Sequence, residues 1–336
     1  MPSIYIKNFL LVIILSLLSP CLKSQTLQKQ QNMAKWHIPP ANYSGITHIK
    51  DNLYAVVDDK SNSEGFYLFL IDINLKNGKV TNVERLSFLH PDETNKTPDK
   101  ADCEGIAYCN KTKTLFISHE EFGTIAEYNL NGKATGRQLI IPDNISRKHQ
   151  HDNGGFEALA YDPHTNSLWT STENSLKTDS FFTDQSGNKR QALRLTRFCA
   201  DKLISNGQWT YLTDPPQLND KTKYYTHGVA AMTILPDGRL AVLERELSVQ
   251  KKYLGSKCKI KIYIINTTEN PVEKTLLTSF TTHINPLKIN YANYEGMCVG
   301  PTLHNGHPTL LLINDSQARA GNSLLRLKDY IKVIIL

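Results

Sequence analysis

Acidic residues recur along this 336-residue chain at matched intervals. Glu104 stands sixteen residues before Glu120, and Glu157 sixteen before Glu173. Gly228 stands sixteen before Glu244, Glu295 twenty before Asp315, and Ser44 fourteen before Asp58. Each first residue opens an apolar run, and each second residue closes the next run. If the two runs are antiparallel strands joined by a turn, both residues lie at the same end of the hairpin. Glu104, Glu120, Glu157, Glu173, Glu244, Glu295, Asp315 and Asp58 are then expected to converge. Two like charges ~6 Å apart cost roughly 3 kcal/mol at an effective dielectric near 20, so such a set needs bound cations, interleaved bases or raised pKa values. Oxygen donors without clustered histidine or cysteine favour calcium over zinc. Lys177, Arg245 and Arg319 lie in the same loops, and a rim that mixes metal with bases suits a phosphate ester. The expected metal ligands are Asp58, Glu104, Glu120, Glu157, Glu295 and Asp315. The expected catalytic carboxylates are Glu157, Glu173, Glu244 and Glu295. Lys177, Arg245 and Arg319 are expected to hold substrate, with His119 and His227, which stand beside the acids and can act as acid or base. Each acid taken singly is also readable as a turn cap that accepts backbone N–H bonds.

The elements that carry these residues repeat. Ser44-Gly-Ile-Thr-His, Glu104-Gly-Ile-Ala-Tyr, Glu157-Ala-Leu-Ala-Tyr, Gly228-Val-Ala-Ala-Met and Glu295-Gly-Met-Cys-Val share one pattern. Each leads through a turn to a second run: Leu53–Val57, Leu115–Ser118, Leu168–Thr172, Leu240–Leu243 and Thr309–Ile313. These runs are rich in leucine, β-branched and aromatic residues between turn formers, which predicts strands. Two further runs follow in the middle units: Thr124–Asn129 and Gln138–Ile141, Ala192–Cys199 and Gln208–Leu212, Lys259–Ile265 and Lys274–Phe280. Four strands per unit and no sustained helical periodicity predict an all-β fold, a β-propeller of four-stranded blades. Five blades are readable, with room for a sixth in divergent sequence. The ring could also close by pairing Trp36–Ile38 with C-terminal strands. A β-sandwich is the alternative, but it gives no reason for the repeated Glu-Gly start. The polar insert from Asn174 to Arg190 reads as an exposed loop.

Composition narrows the classes. The net charge is +6, with no basic run, so nucleic acid is not an expected partner. No apolar stretch is long enough to span a membrane. Phe9 to Leu18 is a short apolar core after Lys7 and before Ser24, which reads as a secretory signal at residues 1–24. Residues 25–41 then read as a leader and 42–336 as the propeller domain. The destination is periplasmic or extracellular; lipid attachment at Cys21 is disfavoured by Pro20. Cys103, Cys109, Cys199, Cys258 and Cys298 have no zinc spacing and read as buried hydrophobes, with a Cys199–Cys258 bridge as the alternative. Sequons stand at Asn42, Asn95, Asn110, Asn144, Asn266 and Asn314. His149 and His151 read as part of a polar loop or as metal ligands on one strand face. The sequence has no G-x-S-x-G elbow, P-loop or dinucleotide fingerprint.

The order of motifs adds a resemblance. Asp102-Cys-Glu-Gly-Ile-Ala, Leu115-Phe-Ile-Ser-His-Glu-Glu-Phe-Gly and Gly154-Gly-Phe-Glu-Ala-Leu-Ala come first. Leu168-Trp-Thr-Ser-Thr-Glu, Leu240-Ala-Val-Leu-Glu-Arg, Asn293-Tyr-Glu-Gly-Met and Leu312-Ile-Asn-Asp follow. Together, over roughly Asn42 to Leu327, they resemble the phytase-like domain family, also described as having esterase-like activity of phytase. The resemblance implies a secreted bacterial propeller-like domain whose acids carry phosphoester hydrolysis. It carries over to Glu104, Glu157, Glu173, Glu244, Arg245, Glu295 and Asp315. Where the family tends to have an Asp-Glu pair, this chain has His119-Glu120-Glu121.

Three functions fit these observations. The first is a calcium-dependent hydrolase of small-molecule phosphate esters. The second is a propeller lactonase or carboxylesterase, and the third a non-catalytic module that binds a glycan or a protein partner.

Overall fold

The computed structural model describes residues 25–91, 102–179, 181–183, 187–218, 220–321 and 325–336. The secretory segment at 1–24 with Cys21, and the sequon at Asn95, lie outside the described residues. The repeats fold into five antiparallel sheets. Blade one is Tyr43–Lys50, Leu53–Asp58, Phe66–Ile73 and Val80–Leu89. Blade two is Cys103–Cys109, Thr114–His119, Thr124–Asn129 and Ala134–Gln138. Blade three is Phe156–Asp162, Ser167–Thr172, Ala192–Cys199 and Ser205–Leu212. Blade four is Tyr224–Ile234, Leu240–Val249, Lys257–Asn266 and Glu273–Asn285, with Lys288–Ile289 at its edge. Blade five is Asn293–Gly300, Thr309–Asp315 and Tyr330–Ile335. The five innermost strands touch one another in a closed ring, so no sixth blade is inserted.

The sequence places the blades because each sheet is covered on both faces by its neighbours. Thr114–His119, Ser167–Thr172 and Thr309–Asp315 are buried at every residue, so apolar residues run without alternation through Leu115, Phe116 and Ile117 and from Leu310 to Ile313, while Ser167–Thr172 buries hydroxyls as well. Outer strands such as Val80–Leu89 are largely exposed. The apolar core is correspondingly divided into five layers, one between each pair of adjacent blades.

Closure differs from the expected pairing of Trp36–Ile38. Thr26–Leu27 pairs with Ile334–Ile335, and Gln31–Asn32 with Tyr330–Ile331, so the expected leader supplies the outer strand of blade five. Asn32 then accepts from the Ala34 N–H at 3.0 Å and caps a 3-10 turn at Met33–Trp36, which ends the pairing before Trp36. In blade two the fourth strand starts at Ala134 instead of Gln138. The turn at Asn131-Gly132 reverses the chain, with Gly132 at φ 88°, and Leu139 leaves the sheet to enter the core. The five described cysteines are free, so Cys199 and Cys258 are not bridged. Of the insert after Asn174, Phe182–Thr183 and Lys189–Arg190 form a small hairpin.

The repeated glycine has a steric cause. A Cβ on Gly105 would stand 2.6 Å from the Glu157 carbonyl oxygen in the next blade, and one on Gly45 2.3 Å from that of Glu104. Adjacent innermost strands approach too closely at this level for a side chain. Gly105→Ala is therefore expected to lower stability by about 1–3 kcal/mol through overpacking, read from the midpoint of urea unfolding.

Candidate functional site

Each innermost hairpin is broken by a bulge at the same place. The register slips between Tyr43 and Gly45, Cys103 and Ile106, Phe156 and Ala158, Val229 and Ala231, and Tyr294 and Gly296. The residues at the slip are Ser44, Glu104, Glu157, Ala230 and Glu295. The structure thus realigns the fourth repeat: Ala230, not Gly228, stands in the acid's place. The residue before each bulge pairs with Asp58, His119, Thr172, Glu244 or Asn314. Successive side chains of a strand point to opposite faces. The next residues, Asp59, Glu120, Glu173, Arg245 and Asp315, therefore turn into the channel mouth. Arg245 replaces the acid in blade four.

The charged residues of these two tiers line a cavity of about 580 Å³. Asp102, Lys60, Lys223, Tyr224, Asn153, Asn293 and Gln317 add to its polar lining. Ile46, Ile106, Leu159, Met232 and Met297, the apolar residue of each repeat, are buried along the channel below the acids.

Arg245 is buried and bridges blades, donating to Glu173 and Glu295 and to Asn293 Oδ1 at 3.2 Å. Glu173 also accepts from Thr226 at 2.9 Å and Asn174 at 3.0 Å. Glu120 accepts the Gly155 N–H at 2.8 Å. Asp315 accepts the Gln317 N–H at 2.6 Å. Lys60 pairs with Asp59 at 2.5 Å, while Asp59 Oδ1 is buried with no hydrogen-bond partner. One oxygen from each of Asp59, Asp102 and Glu104 lies within 4.8 Å of the others, and the same holds for Glu104, Glu120 and Glu157. Glu104 belongs to both triads.

The electrostatics follow from burial. Burial first, then Glu157, pushes Glu104 well above the usual carboxylate range, and burial then Glu173 does the same to Glu157. Burial raises Asp315, reinforced by Glu295 and Asp59. Burial lifts Glu120 to about 7, although the Gly155 N–H opposes it, and lifts Glu295 to about 7 against the pull of Arg245. Asp59 rises to about 6, again mainly by burial. Among the described residues, eight carboxylates and only three bases line the cavity.

The structure brings Glu104, Glu120, Glu157, Glu173, Glu295 and Asp315 together at the cavity, and Arg245, expected as a neighbouring base, lies among them. Six expected site residues stand outside the cavity. Asp58 points away and accepts the Lys60 N–H at 3.2 Å and the Asn42 N–H at 3.4 Å. Glu244 faces outer strands, where it accepts from Tyr211 at 2.6 Å and from Lys274. His119 lies inside blade two, 2.9 Å from the Tyr128 hydroxyl. His227 is buried beside Glu244 and Glu246, and burial lowers its pKa. Lys177 is exposed. Arg319 is held by Asp329 at 2.5 Å and the Ile38 carbonyl at 2.7 Å. His149 sits in a 3-10 turn, and neither it nor His151 lines the cavity. The spacing missed Asp59 and Asp102. The Asp58-Asp59 doublet carried the first, and only the bulge says which of its acids faces inward.

Fold and site define a five-blade propeller with a buried acidic mouth. Residues 38–317 match the family described as "Phytase-like: Esterase-like activity of phytase", and the chain belongs to that family. No curated protein matches the chain in sequence. Among solved structures it is similar to an endo-arabinase from Bacteroides thetaiotaomicron VPI-5482, at 11% identity and TM-score 0.48, over 89% of this chain and 96% of that one. It is also similar to an endo-1,4-beta-xylanase from the same organism, at 12% identity and TM-score 0.46, over 87% of this chain and 90% of that one.

Proposed function

We propose that this domain is a calcium-dependent hydrolase of phosphate esters that works outside the cytoplasm. The observation that carries the reading is the pair of carboxylate triads sharing Glu104. The donor set fits calcium: it is all oxygen, it is crowded, and it holds a buried carboxylate oxygen on Asp59 without a partner. Asp59, Asp102, Glu104, Glu120 and Glu157 would hold the ion, which supplies positive charge for the ester oxygens.

The chain's own groups do the rest. Arg245, Lys60 and Lys223 line the same cavity and offer N–H donors to the remaining phosphate oxygens. Hydrolysis forms a bond from a water oxygen to phosphorus and breaks the bond to the alcohol. Glu173 and Glu295 flank Arg245 and are the carboxylates suited to take the water's proton and return one to the leaving oxygen. The apolar residues beneath the acids limit water at the floor and strengthen each of these interactions.

Glu157→Gln with Glu295→Gln is expected to lower calcium-dependent hydrolysis of p-nitrophenyl phosphate at least about 100-fold. Glu104→Gln is expected to abolish the calcium-induced rise in melting temperature. Unchanged turnover in the double variant would refute the mechanism, and turnover of lactones alone would replace phosphate by carboxylic esters.

A further inference from the structure

The cavity has two unlike walls. Blades one to three, with Asp102 just before blade two, present Asp59, Asp102, Glu104, Glu120 and Glu157. The opposite side, on blades four and five, adds Glu295 and Asp315 at the mouth but also presents Tyr224, Leu247, Val249, Tyr253, Tyr291 and Leu327. Leu247, Tyr291 and Leu327 are buried parts of the core between blades four and five, and Val249 and Tyr253 pack on that core. Tyr224 is 49% exposed. The cavity volume lies within the range that holds a small organic molecule.

The charges are as uneven as the shape. Of the three lining bases, Lys60 is paired with Asp59, and Arg245 spans Glu173 and Glu295. A ligand with many phosphates would bring a large negative charge to a mouth that already holds eight carboxylates. One small anion, neutralised by a cation on the acidic wall, avoids that repulsion. Its organic part would then face tyrosine rings and aliphatic side chains, which favour an apolar or aromatic body.

From these two walls we infer that the site takes a monoester with an apolar, preferably aromatic, alcohol portion, and that it discriminates against polyphosphorylated ligands. This rests on the ester-hydrolase reading above. The acidic wall selects the head and Tyr253, Val249 and Tyr291 select the body. Tyr253 is the most informative residue to change. Its φ is 63°, in the left-handed region that glycine adopts freely, so Tyr253→Gly removes the ring without straining the backbone.

The test is calorimetric binding to the full chain in saturating calcium, with four probes. These are methylphosphonate, 1-naphthylmethylphosphonate, 1-naphthalenemethanol and inositol hexasulfate. The naphthyl phosphonate is expected to bind about tenfold or more tighter than methylphosphonate, and inositol hexasulfate more weakly than the naphthyl phosphonate. Tyr253→Gly should weaken the naphthyl phosphonate about fivefold more than it weakens methylphosphonate. Val249→Thr, which keeps the side chain's shape, should act in the same direction. Equal binding of the two phosphonates, tighter binding of the hexasulfate, or no naphthyl binding at all would overturn the inference. If naphthalenemethanol binds as tightly as its phosphonate and Tyr253→Gly weakens both, the apolar wall stands and the ester reading falls.

Discussion

Arg245→Met is expected to lower the stability of the domain by about 3–5 kcal/mol at pH 7.5, the usual effect of removing one partner from a buried ion pair. Arg245 is 3% exposed and is the cation that joins Glu173 of blade three to Glu295 of blade five. Methionine fills much of the same volume, so the effect is electrostatic and not a cavity. Without the guanidinium, two buried carboxylates face each other across a mouth already crowded with acids. The predicted remedy defines the cause. Arg245→Met combined with Glu173→Gln and Glu295→Gln should recover most of the loss, because no unpaired charge remains. Denaturant midpoints at constant slope measure both effects. An Arg245→Met protein as stable as the parent would mean that the ion pairs do not hold these blades, and that the acids are neutral in the folded state.

This arginine also marks how far the sequence could be read. The order of blades followed from leucine-rich and β-branched runs between turn formers, because strands covered on both faces must be apolar throughout. The convergence of Glu104, Glu120, Glu157, Glu173, Glu295 and Asp315 followed from their places at the start of one run and the end of the next, sixteen residues apart in two hairpins and twenty in the third. What spacing could not register was the bulge. One extra residue in a strand inverts the facing of everything beyond it. The residue paired just before each bulge faces away and the next one faces the channel, so Asp58 and Glu244 lie outside the site, Asp59 lies inside it, and Arg245 takes the place expected for an acid. In the fourth repeat the spacing put Gly228 in the acid's place, but the register places Ala230 at the slip. Residues brought in by loops, such as Asp102 and Tyr253, had no periodicity to betray them. The closing strand at Gln31–Asn32 was hidden for a similar reason, because an outer strand is largely polar.

In the absence of calcium, the stability of the domain is expected to fall as pH rises from about 4.5 to 7.5, the reverse of what ordinary carboxylates give. The sign follows from which state binds more protons. Glu120 and Glu295 have folded pKa values of about 7, above the 4.5 of an exposed glutamate, and Asp59 has about 6 against 3.8. Burial also raises Glu104, Glu157 and Asp315, reinforced by Glu157, by Glu173 and by Glu295 respectively. Between those limits the folded chain keeps protons that the unfolded chain has released. Each retained proton lowers unfolding free energy by about 1.4 kcal/mol per pH unit. His227 and His283 act oppositely, since burial lowers their pKa values, but they are outnumbered by these six carboxylates. Asp214, held low by its hydrogen bonds to Lys261, Lys274 and Tyr263 against the effect of burial, withdraws its support below about pH 4, which sets the acid limit of the optimum. Calcium binds the ionised carboxylates, so it should do little at pH 4.5 and most at pH 7.5. At a thousandfold excess over its dissociation constant it would add about 4 kcal/mol there. Urea midpoints at pH 4.5, 6 and 7.5, each in EDTA and in calcium, measure the whole surface. Stability that rises with pH in EDTA would mean that the mouth ionises freely without a metal, and the cation site would lose its physical basis.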